Sequence, residues 1–153
     1  MKRSNLMKER IRRVNLLFLE LGYHIEEEDI DSDIYTAGFS GTGSFGGVLY
    51  IDRDCRFLEI AFSFFFSPEL STFIQSQIQT IQDICYEFGS YYVIKAEDPD
   101  IVLSIHSKLY YVGLNYFSLK ETLRDLSATV SAVEEQIAIL FDPDMEDTYD
   151  EYS

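Results

Sequence analysis

The chain has no tryptophan, only two cysteines and only three prolines among its 153 residues. Cys55 and Cys85 lie 30 residues apart, and neither belongs to a CxxC pair. This spacing predicts neither a zinc ribbon nor a disulfide framework, and it is typical of two buried thiols in a reducing compartment. We therefore expect a cytoplasmic protein without structural disulfides.

Basic residues are scarce relative to acidic ones. The sequence has 12 Lys and Arg against 27 Asp and Glu, which gives a formal net charge of −15. Six of the basic residues lie within the first 13 positions, so the rest of the chain is even more acidic. Because such a surface repels phosphate backbones, we expect no nucleic-acid binding. The basic segment is expected to be a solvated helix face or to dock against acidic segments of the same chain.

Long hydrophobic runs are also absent. No stretch approaches the roughly 20 apolar residues of a membrane span. Basic residues precede the apolar residues 16–19 as they would in a secretory signal, but Glu20 interrupts the run and no small-residue cleavage site follows. We expect an amphipathic helix of the mature protein here and no membrane segment.

The segment from Gly41 to Val48 satisfies the GxGxxG pattern of dinucleotide sites and the GxGxxGxV pattern of kinase loops. A dinucleotide site needs a helix directly after the glycines, whereas residues 48–52 have the pattern of a strand. A kinase needs a lysine on a neighbouring strand to hold the phosphates, and it needs metal ligands elsewhere in the chain. The sequence has neither that lysine nor a metal-binding motif of the kinase kind. We expect a flexible hairpin, in which glycine adopts positive φ freely, and no nucleotide or other cofactor.

Signatures of catalysis and of metal binding are missing as well. His24 and His106 each stand apart from any candidate nucleophile or second histidine. The aspartates of the acidic segment 26–33 have the spacing that opens a calcium loop, but Ile34 stands where that loop needs glycine and Ser40 where it needs glutamate. We expect no catalytic residue and no metal ligand, and so not an enzyme.

The chain is nevertheless rich in apolar and aromatic side chains. Its hydrophobic fraction is 46%, and 12 Phe and 11 Tyr make up the aromatic fraction of 15%. Helical and strand periods alternate in the order α-β-β-β-α-β-β-α, which predicts an α+β single domain with a mainly antiparallel sheet packed by three helices. We place this domain at residues 1–142 and an acidic disordered tail at residues 143–153.

Local signals give the element boundaries. Gly22 ends the first helix, Pro68 opens the second and Gly89 ends it, while Ser118 and Glu121 form a capping box for the last. An acidic connector precedes the first strand. The strands are predicted at residues 34–39, 48–52, 56–66, 91–96 and 101–107.

The last helix has a seam of apolar residues at four-three spacing. We expect it to pack within the chain rather than as a free coiled coil, because it spans only about three heptads. The seam consists of Leu119, Leu123, Leu126, Val130, Val133, Ile137 and Leu140.

Two surfaces are candidates for contact with a partner. Alternation along the strand 56–66 places Phe57, Glu59, Ala61, Ser63 and Phe65 on one face, and we expect that face to be partly open while helices cover the other. Phe57 and Phe65 are the candidate contacts on this face.

The second surface lies on the middle helix, where no charge occurs from Leu70 through Gln82. Interface centres are depleted of charge, so we expect a homodimer that uses the helix face around Phe73, Gln77 and Ile81. An ordinary polar helix face is the alternative.

The order of elements, the size and the acidity resemble the fold shared by type III secretion chaperones and the YbjN-like family. The likeness covers about residues 6–141. Its carriers are a first helix ending in Leu-Gly-Tyr at residues 21–23, a strand-to-helix junction Phe-Ser-Pro-Glu-Leu at residues 66–70, and a helix start Ser-Leu-Lys-Glu at residues 118–121. The resemblance implies a small, acidic, non-enzymatic and commonly dimeric protein that holds a partner segment on apolar surface.

A different class of function is also compatible with this sequence. A small-molecule-binding domain, or an acid–base enzyme that uses a chance pair of the many carboxylates, would have its pocket between the aromatic strands and the helices.

Overall fold

The structure is a computed structural model that describes residues 2–41 and 45–141, without the side chains of residues 2–4 and 139–141. The predicted acidic tail at residues 143–153 and the centre of the glycine-rich loop lie outside the described residues. The elements in chain order are α1 (Lys2–Glu20), β1 (Tyr23–Asp31), β2 (Ile34–Gly41), β3 (Gly46–Asp52), β4 (Phe57–Phe66), α2 (Ser71–Ser76), α3 (Ile78–Glu87), β5 (Tyr91–Glu97), β6 (Asp100–Tyr110) and α4 (Tyr116–Phe141).

The strands form one six-stranded sheet in the order β1-β2-β3-β4-β6-β5, and every neighbouring pair is antiparallel. The predicted α+β class and the order of helices and strands are therefore confirmed. The hairpin β5–β6 inserts so that β6, not β5, lies beside β4. Consequently the two edges of the sheet are β1 and β5.

The structure adds the strand β1 where an acidic connector was expected. The segment Tyr23–Asp31 pairs with β2 along its length, with a bulge between Glu26 and Asp29 at which Glu27 adopts a φ of +52°. Most of the strand is exposed on both faces, so its sequence lacks the alternation that identifies a half-buried strand. Acidic side chains and a bulge are also the means by which edge strands avoid pairing with other chains.

Two helix boundaries differ from expectation. The middle helix is divided at Gln77 into α2 and α3, and a 3₁₀ turn at Pro68–Leu70 precedes it. The last helix starts at Tyr116 because Asn115 caps it: the Asn115 side-chain oxygen accepts a 2.9 Å hydrogen bond from the Ser118 backbone N–H, and the Ser118 hydroxyl accepts one from the Asn115 backbone N–H. Ser118 therefore occupies the N3 position of the capping box rather than its N-cap position.

The helices cover one face of the sheet and enclose the core with it. The seam of α4 is buried from Leu119 to Val133, which confirms the prediction that it packs within the chain. Side chains from β2, β3, β4 and β6 complete this core, namely Tyr35, Ala37, Phe39, Leu49, Ile51, Leu58, Ile60, Leu103 and Ile105.

Glycine has two different roles in this fold. Gly22 and Gly89 end α1 and α3 with φ of +90° and +72°, as expected for helix C-termini. Gly47, in contrast, is a strand residue at which a Cβ atom would lie 2.4 Å from the Ala61 carbonyl oxygen. The expectation of positive φ at the glycine-rich hairpin is therefore wrong for Gly46 and Gly47, where the missing side chain instead lets neighbouring strands approach.

Candidate functional site

The sheet face opposite the helices, here called the open face, is the candidate functional site. Residues paired across antiparallel strands project to the same face. Tyr50 is paired with Glu59, Glu59 with Lys108, and Tyr91 with His106. On β3 to β6 the open face contains Val48, Tyr50, Asp52, Phe57, Glu59, Ala61, Ser63, Phe65, Tyr91, Val93, Lys95, Glu97, Asp100, Val102, Ser104, His106, Lys108 and Tyr110.

A trough of about 530 Å³ runs along this face. Ala61 and Val102 form its floor and are only 3% and 6% exposed, although neither belongs to the core cluster between the sheet and the helices. Phe65 at one end of β4 is 65% exposed, and Tyr110 at the far end of β6 is 56% exposed. Of these two rings, Phe65 lines the trough, which thus combines an apolar floor with an exposed aromatic ring.

Glu59, Tyr91 and His106 converge beside this floor. The Tyr91 hydroxyl donates a hydrogen bond to Oε2 of Glu59. Nδ1 of His106 lies 3.1 Å from the same oxygen, at an angle that makes this an electrostatic contact rather than an aligned hydrogen bond. The Tyr91 and His106 rings are stacked, with centroids 5.1 Å apart and an interplanar angle of 15°.

Burial determines the charge of these groups. Desolvation lowers the pKa of His106, and the nearby Lys95 and Lys108 act in the same direction, while the Glu59 carboxylate opposes them. Desolvation and the hydrogen bond to Glu59 raise the pKa of Tyr91. His106 and Tyr91 are therefore both neutral at pH 7, and Glu59 contributes the negative charge of the cluster.

Lys108 contacts the aromatic rings next to this cluster. Its Nζ lies 4.6 Å from the centroid of the Phe57 ring and 5.2 Å from that of the Tyr91 ring, within the range of cation–π attraction. The Phe57 ring also meets Tyr110 edge-on, with centroids 5.7 Å apart. Aromatic rings and a carboxylate therefore line the same part of the open face.

The polar groups are not arranged as a catalytic triad. The hydroxyls of Ser63 and Ser104 lie 2.7 Å apart and hydrogen-bond each other. Among the described residues, neither hydroxyl is hydrogen-bonded to His106. In the same part of the chain, no three His, Cys, Asp or Glu side chains are grouped so that they could hold a metal ion.

The structure places Phe57 and Phe65 on the open face, but it separates them from the other predicted site residues. Ile81 is fully buried in the core, so its side chain is not available to a partner, and its inclusion in the predicted dimer interface is wrong. It faces inward because Ile81 and Cys85, four residues apart, form the buried apolar stripe of α3. Gln77 itself is half-buried and donates a 3.0 Å hydrogen bond to Ser76 Oγ.

Phe73 is half-buried and lines an apolar cleft of about 300 Å³ between the end of β4, α2 and α4. Phe64, Phe66 and Ile137 line the same cleft, with Glu134 at its side. This cleft lies where a pocket between the aromatic strands and the helices was expected for a small-molecule-binding protein.

Sequence reasoning placed Glu59 on the same strand face as Phe57 and Phe65, but it missed the cluster with Tyr91 and His106. The alternation of β4 was the available signal. The neighbours of Glu59 come from β5 and β6, and no local pattern states which strand lies beside β4.

Comparison with known proteins adds a likeness of fold. None of the known protein families matches the sequence, and no curated protein matches it. Among solved structures, an uncharacterized protein from Methanothermobacter thermautotrophicus is similar, with a TM-score of 0.67 and 14% sequence identity. The match covers 88% of this chain and 99% of that chain. At this identity the likeness shows the fold alone.

Within residues 2–41 and 45–141, no helix is both long enough and apolar enough to cross a bilayer.

Proposed function

We propose that this protein is a non-enzymatic, cytoplasmic protein-binding module that holds an extended segment of a protein partner on its open face. The role is that implied by the resemblance to secretion chaperones and YbjN-like proteins. The observation that carries the proposal is the trough, in which a buried apolar floor at Ala61 and Val102 adjoins the exposed ring of Phe65. The exposed apolar element is the Phe65 ring, and apolar surface left exposed beside a depression marks interaction sites in soluble proteins.

The shape of the trough suits an extended chain. Successive side chains of an extended segment alternate in direction, so every second one can enter a shallow depression that follows the sheet. Val48, Val93 and Phe65 offer apolar contact along the trough, and the paired Ser63 and Ser104 hydroxyls offer hydrogen bonds at its centre. A shallow open depression suits a chain better than a small ligand, which is usually enclosed on most of its surface.

The polar cluster supports binding rather than catalysis. A general base must lie within hydrogen-bond reach of the proton that it removes. In the described part of the chain, the Ser63 and Ser104 hydroxyls bond each other and the Glu59 carboxylate bonds Tyr91, so neither hydroxyl has a base in contact with it.

The proposal is tested with a short fluorescein-labelled peptide of alternating isoleucine and serine, whose binding is followed by fluorescence anisotropy. Phe65→Ser removes the exposed ring at the trough, and Phe117→Ser is the matched control because Phe117 is 74% exposed on α4. We expect Phe65→Ser to weaken binding about tenfold, or about 1.4 kcal/mol, and Phe117→Ser to have little effect. Equal affinities of both variants, or no saturable binding, would contradict the proposal.

A second candidate function is favoured by the apolar cleft at Phe64, Phe66 and Ile137, which would take a small apolar ligand with Glu134 beside it. Its volume of about 300 Å³ is at the lower end of the range for ligand pockets. Decanoate is a suitable probe, and Ala138→Trp would fill the cleft because Ala138 lines it. Saturable decanoate binding that Ala138→Trp abolishes, together with no peptide binding, would favour this function over the first.

A further inference from the structure

Carboxylates outnumber basic groups on the open face. Three acidic residues of β1, namely Glu26, Asp29 and Asp31, also belong to this face. Each is paired with a residue of β2, and that residue is paired in turn with an open-face residue of β3. The strands thus present seven carboxylates on the open face against the two ammonium groups of Lys95 and Lys108. The seven are Glu26, Asp29, Asp31, Asp52, Glu59, Glu97 and Asp100.

Glu59 is the carboxylate at the centre of this face. The Tyr91 hydroxyl and Nδ1 of His106 both contact its Oε2. Among the described residues, no group is hydrogen-bonded to its Oε1. The Glu59 side chain is 25% exposed, so this second oxygen is available for a group that arrives from solvent.

The rings beside Glu59 already hold a cation. Lys108 is directly opposite Glu59 in the strand register, yet no ion pair joins the two side chains within the described residues. The Lys108 ammonium instead lies over the Phe57 and Tyr91 rings. These rings therefore form a surface that attracts a positive charge. The surface lies next to the Glu59 carboxylate, with which Lys108 makes no ion pair in the described part of the chain.

We infer that the partner segment carries an arginine, whose guanidinium takes the place of the Lys108 ammonium over the Phe57 and Tyr91 rings and pairs with Glu59. The inference rests on the proposed function, since it names the chemistry of the segment that the open face holds. A planar guanidinium can stack on an aromatic face and donate hydrogen bonds to a carboxylate at the same time, which an ammonium does less well. The excess of carboxylates on the open face attracts the same basic segment.

Two peptides test this inference directly. Both alternate isoleucine and serine and carry a fluorescein label, but one has a central arginine and the other has citrulline, which has nearly the same shape without the charge. We expect the protein to bind the arginine peptide about tenfold more tightly than the citrulline peptide. Equal affinities would overturn the inference, and this comparison needs no variant protein.

Glu59→Gln tests whether the preference depends on the inferred site. Glutamine retains an oxygen that accepts the Tyr91 hydrogen bond, and a thermal melt verifies that the variant is folded. We expect the ratio of the two affinities to fall to about one in Glu59→Gln and to stay near ten in Glu135→Gln, a control on the exposed face of α4. An unchanged ratio in folded Glu59→Gln would overturn the assignment of the arginine to Glu59.

The outcomes separate this inference from the proposed function. If both peptides bind equally and Phe65→Ser weakens both, the arginine site is wrong while the open face still binds an extended segment. If neither peptide binds, the proposed function and the inference fail together.

Discussion

Nδ1 of His106 lies 3.1 Å from Oε2 of Glu59, although the two residues are 47 positions apart in the sequence. The contact crosses from β4 to β6, next to the stacked ring of Tyr91. A buried imidazole close to a carboxylate experiences two opposed effects, since burial disfavours the protonated ring and the carboxylate favours it. Burial is the larger effect here, and it lowers the pKa of His106 below 6.5.

The lowered pKa of His106 predicts that folding stability decreases in mild acid. Unfolding returns the His106 pKa to about 6.5, so the unfolded chain binds more protons than the folded chain between the folded-state pKa and 6.5. The free energy of unfolding should therefore rise with pH across this window, and the contribution should be lost as the pH falls through it.

Urea unfolding from about pH 8 to about pH 5 measures this dependence. We expect His106→Gln to have a shallower dependence on pH than the wild-type protein over that range. His24→Gln is the control, because His24 is exposed on β1. Parallel curves for wild type and His106→Gln would show that His106 does not titrate in this way.

Gly47→Ala should destabilise the sheet. Its Cβ would lie 2.4 Å from the Ala61 carbonyl oxygen, which is backbone of the central strand β4 and cannot turn aside like a side chain. Overpacking of this kind costs about 1 to 3 kcal/mol. Gly113→Ala is the matched control, because a Cβ there has no atom within 4 Å. Urea midpoints that fall equally for both variants would show that the effect is not due to the close approach of the strands.

Val130→Asp should prevent stable folding. Val130 is 6% exposed and lies in the buried seam of α4, where a carboxylate would lose its hydration without a partner. We expect a loss of roughly 3 to 5 kcal/mol, which is a large part of the stability of an ordinary domain. Ser131→Asp adds the same charge at the next, exposed position and should change stability by less than about 0.5 kcal/mol. Thermal melts that do not distinguish the two variants would contradict the placement of the seam.

The homodimer stays a prediction, and the structure restricts the surface that it can use. With Ile81 buried, the exposed residues of α2 and α3 are the candidates, among them Gln75 and Gln82. Light scattering at ~100 μM should give twice the 17.8 kDa mass of the chain, because an interface of about 1,600 Å² persists at that concentration.

A charge on this helix surface should weaken the dimer. In a two-fold symmetric dimer, Gln82→Glu places one new carboxylate on each subunit at the interface. Because these like charges repel each other, we expect about tenfold weaker dimerisation. Ser131→Glu on α4 is the control. A monomer for the unmodified protein would remove the dimer from the proposed function.

The sequence alone determined the parts of this protein that depend on local periodicity. The seam of α4 and the alternation of β4 predicted which residues face the core, and the glycines at Gly22 and Gly89 predicted where two helices end. These signals are reliable because each depends on the geometry of a single helix or strand. The placement of Phe57 and Phe65 on an open face followed from the same alternation.

Tertiary structure alone decided the features that depend on which elements are neighbours. The edge strand β1 forms because β2 offers it hydrogen-bonding partners, not because its own acidic sequence favours a strand. Glu59, Tyr91 and His106 meet because β6 inserts beside β4 and carries β5 with it. The pairing of strands distant in sequence is set by the total burial of the core, which no single segment encodes. The candidate site is therefore a property of the assembled sheet.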